Sequence, residues 1–491
     1  MKYILVIDQG TTSSRAILFN VNGEAVGQAQ QEFKQIYPHP GWVEHDPIDI
    51  LSSVRSVIST ALTEARVKHS ELIGMGITNQ RESIVMWDKQ TGEPIYNAIV
   101  WQCRRTMSRC IELEEYKEEI LKRTGLKLDS YFSASKIEWL LKNVDKAKEL
   151  LDRNRLCVGT IDTFLMWQLS GGKIYKTDYT NASRTMLYNI HELCWDSMLC
   201  DLFGIPKNIL PEVCPSSHIY GYTDQEILGF KIPICGVAGD QQSALFGQCC
   251  FEKGDLKVTY GTGCFLLMNT GSEAFVSKNG LITSLGCQTN QKPSYVLEGS
   301  VFVGGAVIQW LRDELKVISS ATESEALARS VENTNGVYLV PAFVGLGAPY
   351  WNFEAEGLIT GITRGTNKAH ITRAALEAIA FEVNDVVEAM KKDIGVDILT
   401  IEVDGGAIGN NFLMEFQADI SNAYIARPKN KEVTALGAFY LAALELQLFD
   451  SLEEIKLKNP IERTFIPNMS KEERETKLKG WNKAIRKASL K

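Results

Sequence analysis

A short run near the start of the chain brings a carboxylate, a hydroxyl-rich turn and a basic residue together. Asp8 is followed by a predicted tight turn of Gly10 and the hydroxyl residues Thr11, Thr12, Ser13 and Ser14, and then by Arg15. A carboxylate there could hold Mg²⁺ through water, while the turn donates hydrogen bonds to phosphate oxygens. Arg15 could neutralise the charge that develops during phosphoryl transfer. The same residue types also make an ordinary capped β-turn, so this run alone leaves both interpretations open.

Two later segments favour the phosphate-binding interpretation. Gly261, Thr262 and Gly263 form a matching turn after a strand-like run, and residues 403–411 read as a strand, a glycine turn and a helix start. Glycine turns of this kind let a nucleotide approach the backbone closely. The chain has no G-x-x-x-x-G-K-[ST] run and no G-x-G-x-x-G that opens a helix, which excludes P-loop and dinucleotide sites. The three segments together predict a nucleotide cleft of another kind.

The elements that must position these residues alternate between strands and helices. Strands are predicted at 3–8, 15–19, 73–78 and 232–237, and again within 257–268. Helices are predicted after Asp46-Pro47, at 135–143, 146–151, 304–315, 370–391 and 433–447, and from 471 to 491. This alternation indicates the α/β class. Because each half opens with a strand, a Gly-Thr turn and a strand, we expect two duplicated domains, 1–250 and 251–491, with a cleft between them.

Bulk composition narrows the classes of function. The chain has 491 residues, too many for one core, and a net charge of -8, which argues against nucleic-acid or anionic-membrane partners. No run resembles a signal peptide or a membrane span. The eleven cysteines form no Cys-x-x-Cys pair and the six histidines do not cluster, so reduced thiols and no structural zinc are expected. A cytoplasmic location fits these features.

The order of the three phosphate-binding segments resembles the actin-like ATPase (ribonuclease H-like) fold, in which two hairpins hold phosphates and a glycine turn holds adenosine. Over essentially its whole length the chain is similar to the FGGY carbohydrate kinases. Residues 131–140 and 357–377 fit the two patterns of that family. Within the family, five segments resemble the members that phosphorylate glycerol: residues 41–47, 77–82, 101–105, 178–186 and 239–242.

A polyol site needs both donors and acceptors, because hydroxyl groups do both. Arg81 and Glu82 offer them, provided that a kink at a strand end turns both side chains into the cleft. Neighbouring Arg and Glu residues are more often a surface pair of little energetic value. The resemblance implies that this pair binds two substrate hydroxyls, that Trp101 and Phe265 form an aromatic wall against the C–H face, and that Tyr131 contacts another hydroxyl.

The resemblance also implies the reacting groups. Asp240 would be the catalytic base, with Gln241 helping to hold the substrate, and Asp8 and Arg15 would act on the phosphates. Mg²⁺ would be held by Asp8 and Asp240 through water. Besides Thr11, Thr12, Ser13 and Arg15, the implied nucleotide-binding residues are Thr262, Gly305, Gln309, Gly406, Ala407 and Asn411.

The function implied is ATP-dependent phosphorylation of glycerol to sn-glycerol 3-phosphate, with ATP, Mg²⁺ and glycerol as partners. The resemblance allows a homodimer or a homotetramer. Three alternatives stay open: an FGGY kinase for a pentulose or gluconate, an actin- or chaperone-like ATPase, and an inactive glycerol-binding regulator. The second leaves Arg81, Glu82, Trp101 and Asp240 without a role, and retention of Asp8, Arg15 and Asp240 argues against the third.

Overall fold

The structure is a computed structural model that describes residues 1–289 and 294–490. Two large mixed β-sheets form its framework. The strands of the first sheet are β1 (Tyr3–Gln9), β2 (Ser13–Asn20), β3 (Ala25–Glu32), β4 (Leu72–Asn79), β5 (Ser217–Tyr222) and β6 (Pro233–Gly239). The strands of the second are β7 (Leu256–Tyr260), β8 (Cys264–Gly271), β9 (Ile282–Leu285), β10 (Tyr295–Val301), β11 (Thr400–Asp404), β12 (Tyr424–Pro428) and β13 (Ile461–Phe465).

The two sheets share one five-stranded plan. The first runs β5-β6-β4-β1-β2-β3 and the second runs β9-β10-β8-β7-β11-β12-β13. In each, an antiparallel hairpin (β1–β2 or β7–β8) takes a further antiparallel strand on one side (β3 or β10). On the other side, the first strand of the hairpin pairs in parallel with β4 or β11. That strand pairs in parallel with β6 or β12 in turn. The predicted α/β class with two duplicated actin-like domains is thereby confirmed.

Helices pack against the two large sheets and against the shorter strands. They are α1 (Pro47–Ala65), α2 (Met107–Glu112), α3 (Lys117–Thr124), α4 (Ser133–Asn143), α5 (Asp145–Asp152), α6 (Ile161–Leu169), α7 (Tyr179–Ala182), α8 (Ser197–Leu202), α9 (Gln225–Leu228), α10 (Asp240–Gly247), α11 (Ala306–Asp313), α12 (Glu323–Arg329), α13 (Lys368–Ile394), α14 (Asn411–Ser421), α15 (Val433–Glu445), α16 (Leu452–Leu457) and α17 (Lys471–Ala488). A smaller four-stranded sheet consists, in order, of Glu44–His45, Ala98–Ile99, Ile84–Asp88 and Leu156–Thr160. Two-stranded sheets pair Lys176–Asp178 with Glu212–Cys214, Tyr188–Asn189 with Cys194–Trp195, and Tyr338–Val340 with Leu358–Thr360.

Most of the predicted elements are present with small shifts of their ends. Asp46 caps α1 by accepting from the backbone N–H of Ile48, with Pro47 in the first turn, as predicted. Ser13 and Ser14 were expected in the turn but lie in β2, where Ser14 pairs with Gln9, so the hairpin is tighter than predicted. The predicted C-terminal helix ends at Ala488, and Lys491 lies outside the described residues.

The apolar run of β1 is buried on both faces of its sheet. Leu5 and Ile7 join a core that α1 completes, whereas Ile4 and Val6 join a core that α15 completes. A strand covered on both sides needs apolar residues at every position, which explains the unbroken run. Since α15 comes from the C-terminal half of the chain yet packs on the first sheet, the division at 250/251 stays a prediction.

Close backbone contact between α10 and α15 fixes their crossing. A Cβ atom on Gly437 would lie 1.9 Å from the carbonyl oxygen of Ser243, and one on Gly247 would lie 2.0 Å from that of Val433. The hydroxyl of Ser243 donates to the carbonyl of Thr434 at 2.7 Å across the same contact. Two glycines therefore allow α10 to lie directly on α15.

Candidate active site

Three parallel strands of the first sheet end at one edge, and their ends carry the predicted reacting groups. β1 ends at Gln9, β4 at Asn79 and β6 at Gly239. Ligands of α/β sheets bind outside the carboxyl ends of such strands. Asp8 lies at the first end, Arg81 and Glu82 follow the second, and Asp240 follows the third as the first residue of α10. The topology thus brings together residues that are far apart in sequence.

Asp8 lies in a mostly buried position that is crowded by negative charge. It pairs with Arg15 across the hairpin, with the Arg15 Nη1 atom 3.8 Å from its carboxylate. Arg15 also forms an ion pair with Glu432, which precedes α15. Burial raises the pKa of Asp8 to about 6; the Arg15 charge opposes this shift, and the charges of Asp240 and Glu432 add to it. This local excess of negative charge is suited to a divalent cation.

A sharp bend turns both Arg81 and Glu82 inward. Ser83 donates its backbone N–H to the carbonyl of Arg81 at 2.7 Å, and Glu82 has a φ of 62°. The two side chains are only 3% and 2% exposed. The kink that the sequence analysis required is present, and the alternative of an exposed surface pair is wrong.

Two residues that the sequence analysis did not assign are the main ionic partners of this pair. Glu298 on β10 accepts from Arg81 Nη1 at 2.6 Å and from Nη2 at 3.0 Å. Arg184 donates through Nε to Glu82, and its Nη2 lies 3.3 Å from Glu298. Burial raises the pKa of Glu298, but the Arg184 and Arg81 charges outweigh it and hold that pKa at about 2. A single glutamate in the apolar strand Tyr295–Val301 was the signal that could have revealed this partner.

Asp240 is the most accessible carboxylate of the site. Its side chain is 33% exposed, and its Oδ1 atom lies 3.3 Å from Arg81 Nε. Oδ1 also accepts the backbone N–H of Gln241 at 2.7 Å. The side-chain oxygen of Gln241 accepts from Lys257 Nζ at 2.6 Å, a contact that the sequence analysis missed. Oδ1 is therefore held beside the Arg81 guanidinium, whereas Oδ2 accepts a hydrogen bond from none of the described residues.

The predicted aromatic residues come from three segments: Trp101 and Tyr131 lie in turns, and Phe265 lies on β8 of the second sheet. Trp101 donates its indole N–H to the hydroxyl of Thr11 at 3.0 Å, and its ring meets Tyr131 edge-on at 5.4 Å. Tyr131 also lies 5.6 Å from the Arg184 guanidinium, a cation–π contact. Phe265 lies on β8, on the face of the second sheet that also carries Lys257, because it pairs with Thr259 two residues along β7.

The second hairpin is joined to two glycine segments through backbone contacts. Gly305 donates its N–H to the carbonyl of Gly261 at 2.8 Å, and a Cβ at Gly305 would lie 2.8 Å from that oxygen. Gly405 has a φ of 95°, and a Cβ there would lie 2.5 Å from the carbonyl of Tyr260. Only glycine fits at these two positions, so the predicted second phosphate turn and glycine turn form one surface.

The remaining predicted nucleotide residues are divided between the two hairpins: Thr12 and Ser13 lie at the first, and the others lie at the second hairpin or on the segments around it. Thr12, Thr262, Gln309 and Gly406 are exposed, and Ala407 is half-buried. Ser13 accepts from the side chain of Gln30 at 2.9 Å. Asn411 is the first residue of α14, and its side-chain oxygen accepts from Arg427 at 3.1 Å and from Arg463 at 3.2 Å. Its amide nitrogen is thereby directed away from the two arginines.

Residues 1–289 and 294–490 contain neither a cluster of metal-ligating side chains nor a helix that could span a membrane. No group of three or more His, Cys, Asp or Glu side chains is placed to hold a metal ion there. No helix in that part of the chain is both long and apolar enough to cross a membrane.

Comparison with known proteins assigns the family. The model of the "FGGY family of carbohydrate kinases, N-terminal domain" matches residues 3–247, and that of the C-terminal domain matches residues 256–446. The chain belongs to the FGGY carbohydrate kinases. It is 55% identical over 487 residues to glycerol kinase 2 of Thermotoga maritima, covering 99% of this chain and 98% of that one. It is 56% identical over 489 residues to a glycerol kinase of Clostridium botulinum, with the same coverage.

Solved structures of FGGY kinases have the same architecture. The structure of Plasmodium falciparum glycerol kinase with ADP superposes with a TM-score of 0.95 at 38% identity, covering 100% of this chain and 99% of that one. A ligand-bound xylulose kinase of Lactobacillus acidophilus gives a TM-score of 0.89 at 24% identity, covering 99% and 97%. The second likeness shows the shared fold alone.

Proposed function

We propose that this FGGY kinase transfers the terminal phosphoryl group of ATP to glycerol and forms sn-glycerol 3-phosphate. The observation that carries the proposal is the buried Arg81-Glu82 pair, which is turned inward beside Asp240 at the carboxyl ends of three parallel strands. The relatives named glycerol kinase, about 55% identical along the whole chain, support the choice of polyol.

The Arg81-Glu82 pair offers what a small triol requires. A guanidinium has five N–H donors, and Glu298 and Gln242 accept three of those of Arg81. Oε1 of Glu82 is engaged by Arg184, whereas Oε2 accepts from no group in the described part of the chain. One residue thus supplies donors and the other an acceptor, and adjacent hydroxyls of glycerol can use both. Trp101 and Phe265 are proposed to cover the C–H face, and Tyr131 to contact a substrate hydroxyl, with Gln241 as a further donor.

Asp240 is proposed to act as the catalytic base. Its accessible carboxylate would accept the proton of the attacking hydroxyl while Arg81, only 3.3 Å away, orients both groups. Because phosphoryl transfer is largely dissociative, positioning and charge neutralisation contribute more than basicity. Arg15 is suited to charge neutralisation, since its guanidinium lies at the first hairpin.

ATP is proposed to bind across the two hairpins. Thr11, Thr12 and Ser13 would donate to phosphates from the first sheet, and Thr262 from the second. Gly305, Gln309, Gly406, Ala407 and Asn411 would receive the nucleoside. In support, the backbone contacts of Gly305 and Gly405 make one continuous surface with the second hairpin.

Asp8 and Asp240 fit a magnesium ion. Mg²⁺ keeps several of its waters and uses one or two carboxylates together with substrate phosphates, so no cage of three protein ligands is needed. The raised pKa of Asp8, caused by burial and by the neighbouring carboxylates Asp240 and Glu432, supports a cation at this position. When bound, the ion would neutralise phosphate charge. We further propose a cytoplasmic enzyme that forms a homodimer or homotetramer.

A substrate panel tests the proposal. Purified protein, ATP and Mg²⁺ are incubated with glycerol, xylulose, gluconate or no acceptor, and ADP is followed in a coupled assay. We expect ADP formation with glycerol to exceed that with each other acceptor at least about a hundredfold in kcat/KM, because the buried Arg81-Glu82 pair selects a short polyol. Preference for xylulose or gluconate would assign another FGGY activity, and acceptor-independent turnover would indicate an ATPase.

A further inference from the structure

Two charged side chains of the second sheet bind the proposed polyol-binding residues of the first. Lys257 on β7 contacts Gln241, and Glu298 on β10 contacts Arg81. They occupy one row of the sheet, because Lys257 is opposite Leu267 and Leu267 is opposite Glu298. Residues opposite one another lie on the same face, so both charges point to the same side. Lys257 is fully buried and Glu298 is 1% exposed.

Lys257 determines how the Gln241 amide is oriented. A lysine ammonium has donors and no acceptor, so the group facing it at 2.6 Å must be the side-chain oxygen of Gln241. The NH₂ group then points away as a donor for a substrate hydroxyl. Lys257 also donates to the Thr259 hydroxyl at 2.7 Å. Burial lowers the pKa of Lys257, and the charges of Asp404 and Asp240 act against this shift.

Glu298 determines how the Arg81 guanidinium is oriented. Its two oxygens engage Nη1 and Nη2 together, which fixes the plane of the group. Arg81 has two competing anions close by, with its Nε atom 3.3 Å from Asp240 and 4.0 Å from Glu82. Without Glu298 the guanidinium would turn toward these carboxylates, which are the proposed base and the proposed acceptor for the substrate.

We propose that Lys257 and Glu298 are positioning residues for the polyol: they orient Gln241 and Arg81 from the second sheet and thereby set glycerol affinity. This inference rests on the proposed glycerol kinase activity and deepens it. The second sheet would then take part in polyol binding through Lys257 and Glu298. Its proposed nucleotide-binding residues, Thr262, Gly305 and Gln309, lie on other segments.

The test compares Lys257→Met, Glu298→Gln and the charge-balanced double variant with wild-type enzyme. Tyr295→Phe is the matched control, because it also removes a buried hydrogen bond from β10 to the first half of the chain, to the carbonyl of Ile190 at 2.8 Å. Glycerol KM, ATP KM and kcat are measured for each. The rise in melting temperature caused by glycerol alone and by ADP alone is a second readout, independent of turnover.

Loss of a charge-assisted hydrogen bond should raise glycerol KM about tenfold or more in Lys257→Met and in Glu298→Gln, with ATP KM changed less than about twofold. Glycerol should lose most of its stabilising effect on these variants, whereas ADP keeps its own. Tyr295→Phe should retain wild-type KM values. A role in folding alone would instead lower the active fraction, and hence kcat, at constant KM.

Wild-type glycerol KM in folded Lys257→Met and Glu298→Gln would overturn the inference while leaving the proposed function intact. Where one single variant fails to fold, the other single variant and the double variant decide by the same criterion. A wild-type protein that turns over no glycerol would overturn the proposed function, and the inference with it.

Discussion

The indole N–H of Trp101 donates a hydrogen bond to the hydroxyl of Thr11 at 3.0 Å. Trp101 belongs to the proposed polyol wall, and Thr11 belongs to the proposed phosphate hairpin. One hydrogen bond thus connects the proposed polyol site with the proposed phosphate site. The ring is held in addition by Tyr131, so loss of the hydrogen bond removes the connection without removing the wall.

This contact predicts energetic coupling between Trp101 and Thr11. Trp101→Phe keeps an aromatic ring but removes the donor, and Thr11→Val removes the acceptor at similar volume. A double-mutant cycle on kcat/KM for glycerol should give a coupling free energy of about 0.5–1.5 kcal/mol, the net value of a partly buried hydrogen bond. Strictly additive effects would show that the contact is not used in catalysis.

Asp240→Asn should separate chemistry from binding. The amide cannot accept the hydroxyl proton, so kcat should fall by about 10²–10⁴-fold, the usual contribution of a general base. ATP binding, measured by calorimetry, should persist because the hairpins and glycine turns are unchanged. Asp201→Asn on α8 serves as the matched control, because it makes the same chemical change at an exposed position outside the proposed site. Wild-type activity of Asp240→Asn would remove Asp240 from the mechanism.

Asp8 should make the stability of the ligand-free protein depend on pH. Its folded-state pKa of about 6 lies above the ordinary 3.8, so its stabilising contribution is present at low pH and is lost as pH rises through about 6. At about pH 8 the buried charge costs at most about 3 kcal/mol. Asp8→Asn should therefore raise the melting temperature more at about pH 8 than at about pH 5, while activity is lost.

Binding of MgATP should reverse the order of thermal stability of the wild type and Asp8→Asn. MgATP should stabilise the wild type at about pH 8 more than it stabilises Asp8→Asn, because the carboxylate that is costly without a cation becomes favourable beside one. Thermal unfolding with ATP alone and with MgATP distinguishes the ion from the nucleotide. Equal stabilisation of both proteins by MgATP would contradict a role for Asp8 at the metal.

Gly437→Ala should destabilise the protein despite the higher helix propensity of alanine. The gain in propensity is about 1 kcal/mol. The added Cβ would meet the Ser243 carbonyl at 1.9 Å, and such overpacking costs about 1–3 kcal/mol, so the clash should win. Activity should fall as well, because α10 begins with Asp240. Gly365→Ala, whose nearest contact would be at 3.7 Å, is the neutral control in denaturant unfolding.

Local patterns predicted the elements well, since their causes are local. Asp46 and Pro47 marked the start of α1, and the apolar run at 3–8 indicated a strand. The bend at Glu82 was required by the function and is present. Ser13 and Ser14 were placed in a turn because serine is a common turn residue, whereas cross-strand pairing incorporates them into β2.

The ionic partners could not be predicted because they depend on sheet register. Glu298 meets Arg81, and Lys257 meets Gln241, only after the second sheet has set the row that both charges share. Arg184 lay in a segment already recognised as similar to glycerol-phosphorylating relatives, yet nothing in its neighbours indicated that it would pair with Glu82. A charge within an apolar strand was the one local sign of such a partner.

The central claim is best tested by the product itself. Purified protein is incubated with glycerol, ATP and Mg²⁺, and sn-glycerol 3-phosphate is quantified with a stereospecific dehydrogenase in parallel with ADP. The account predicts one sn-glycerol 3-phosphate for each ADP, with the formation of both slowed at least about a hundredfold in Asp240→Asn. ADP release without sn-glycerol 3-phosphate, or no release in the presence of glycerol, would contradict it.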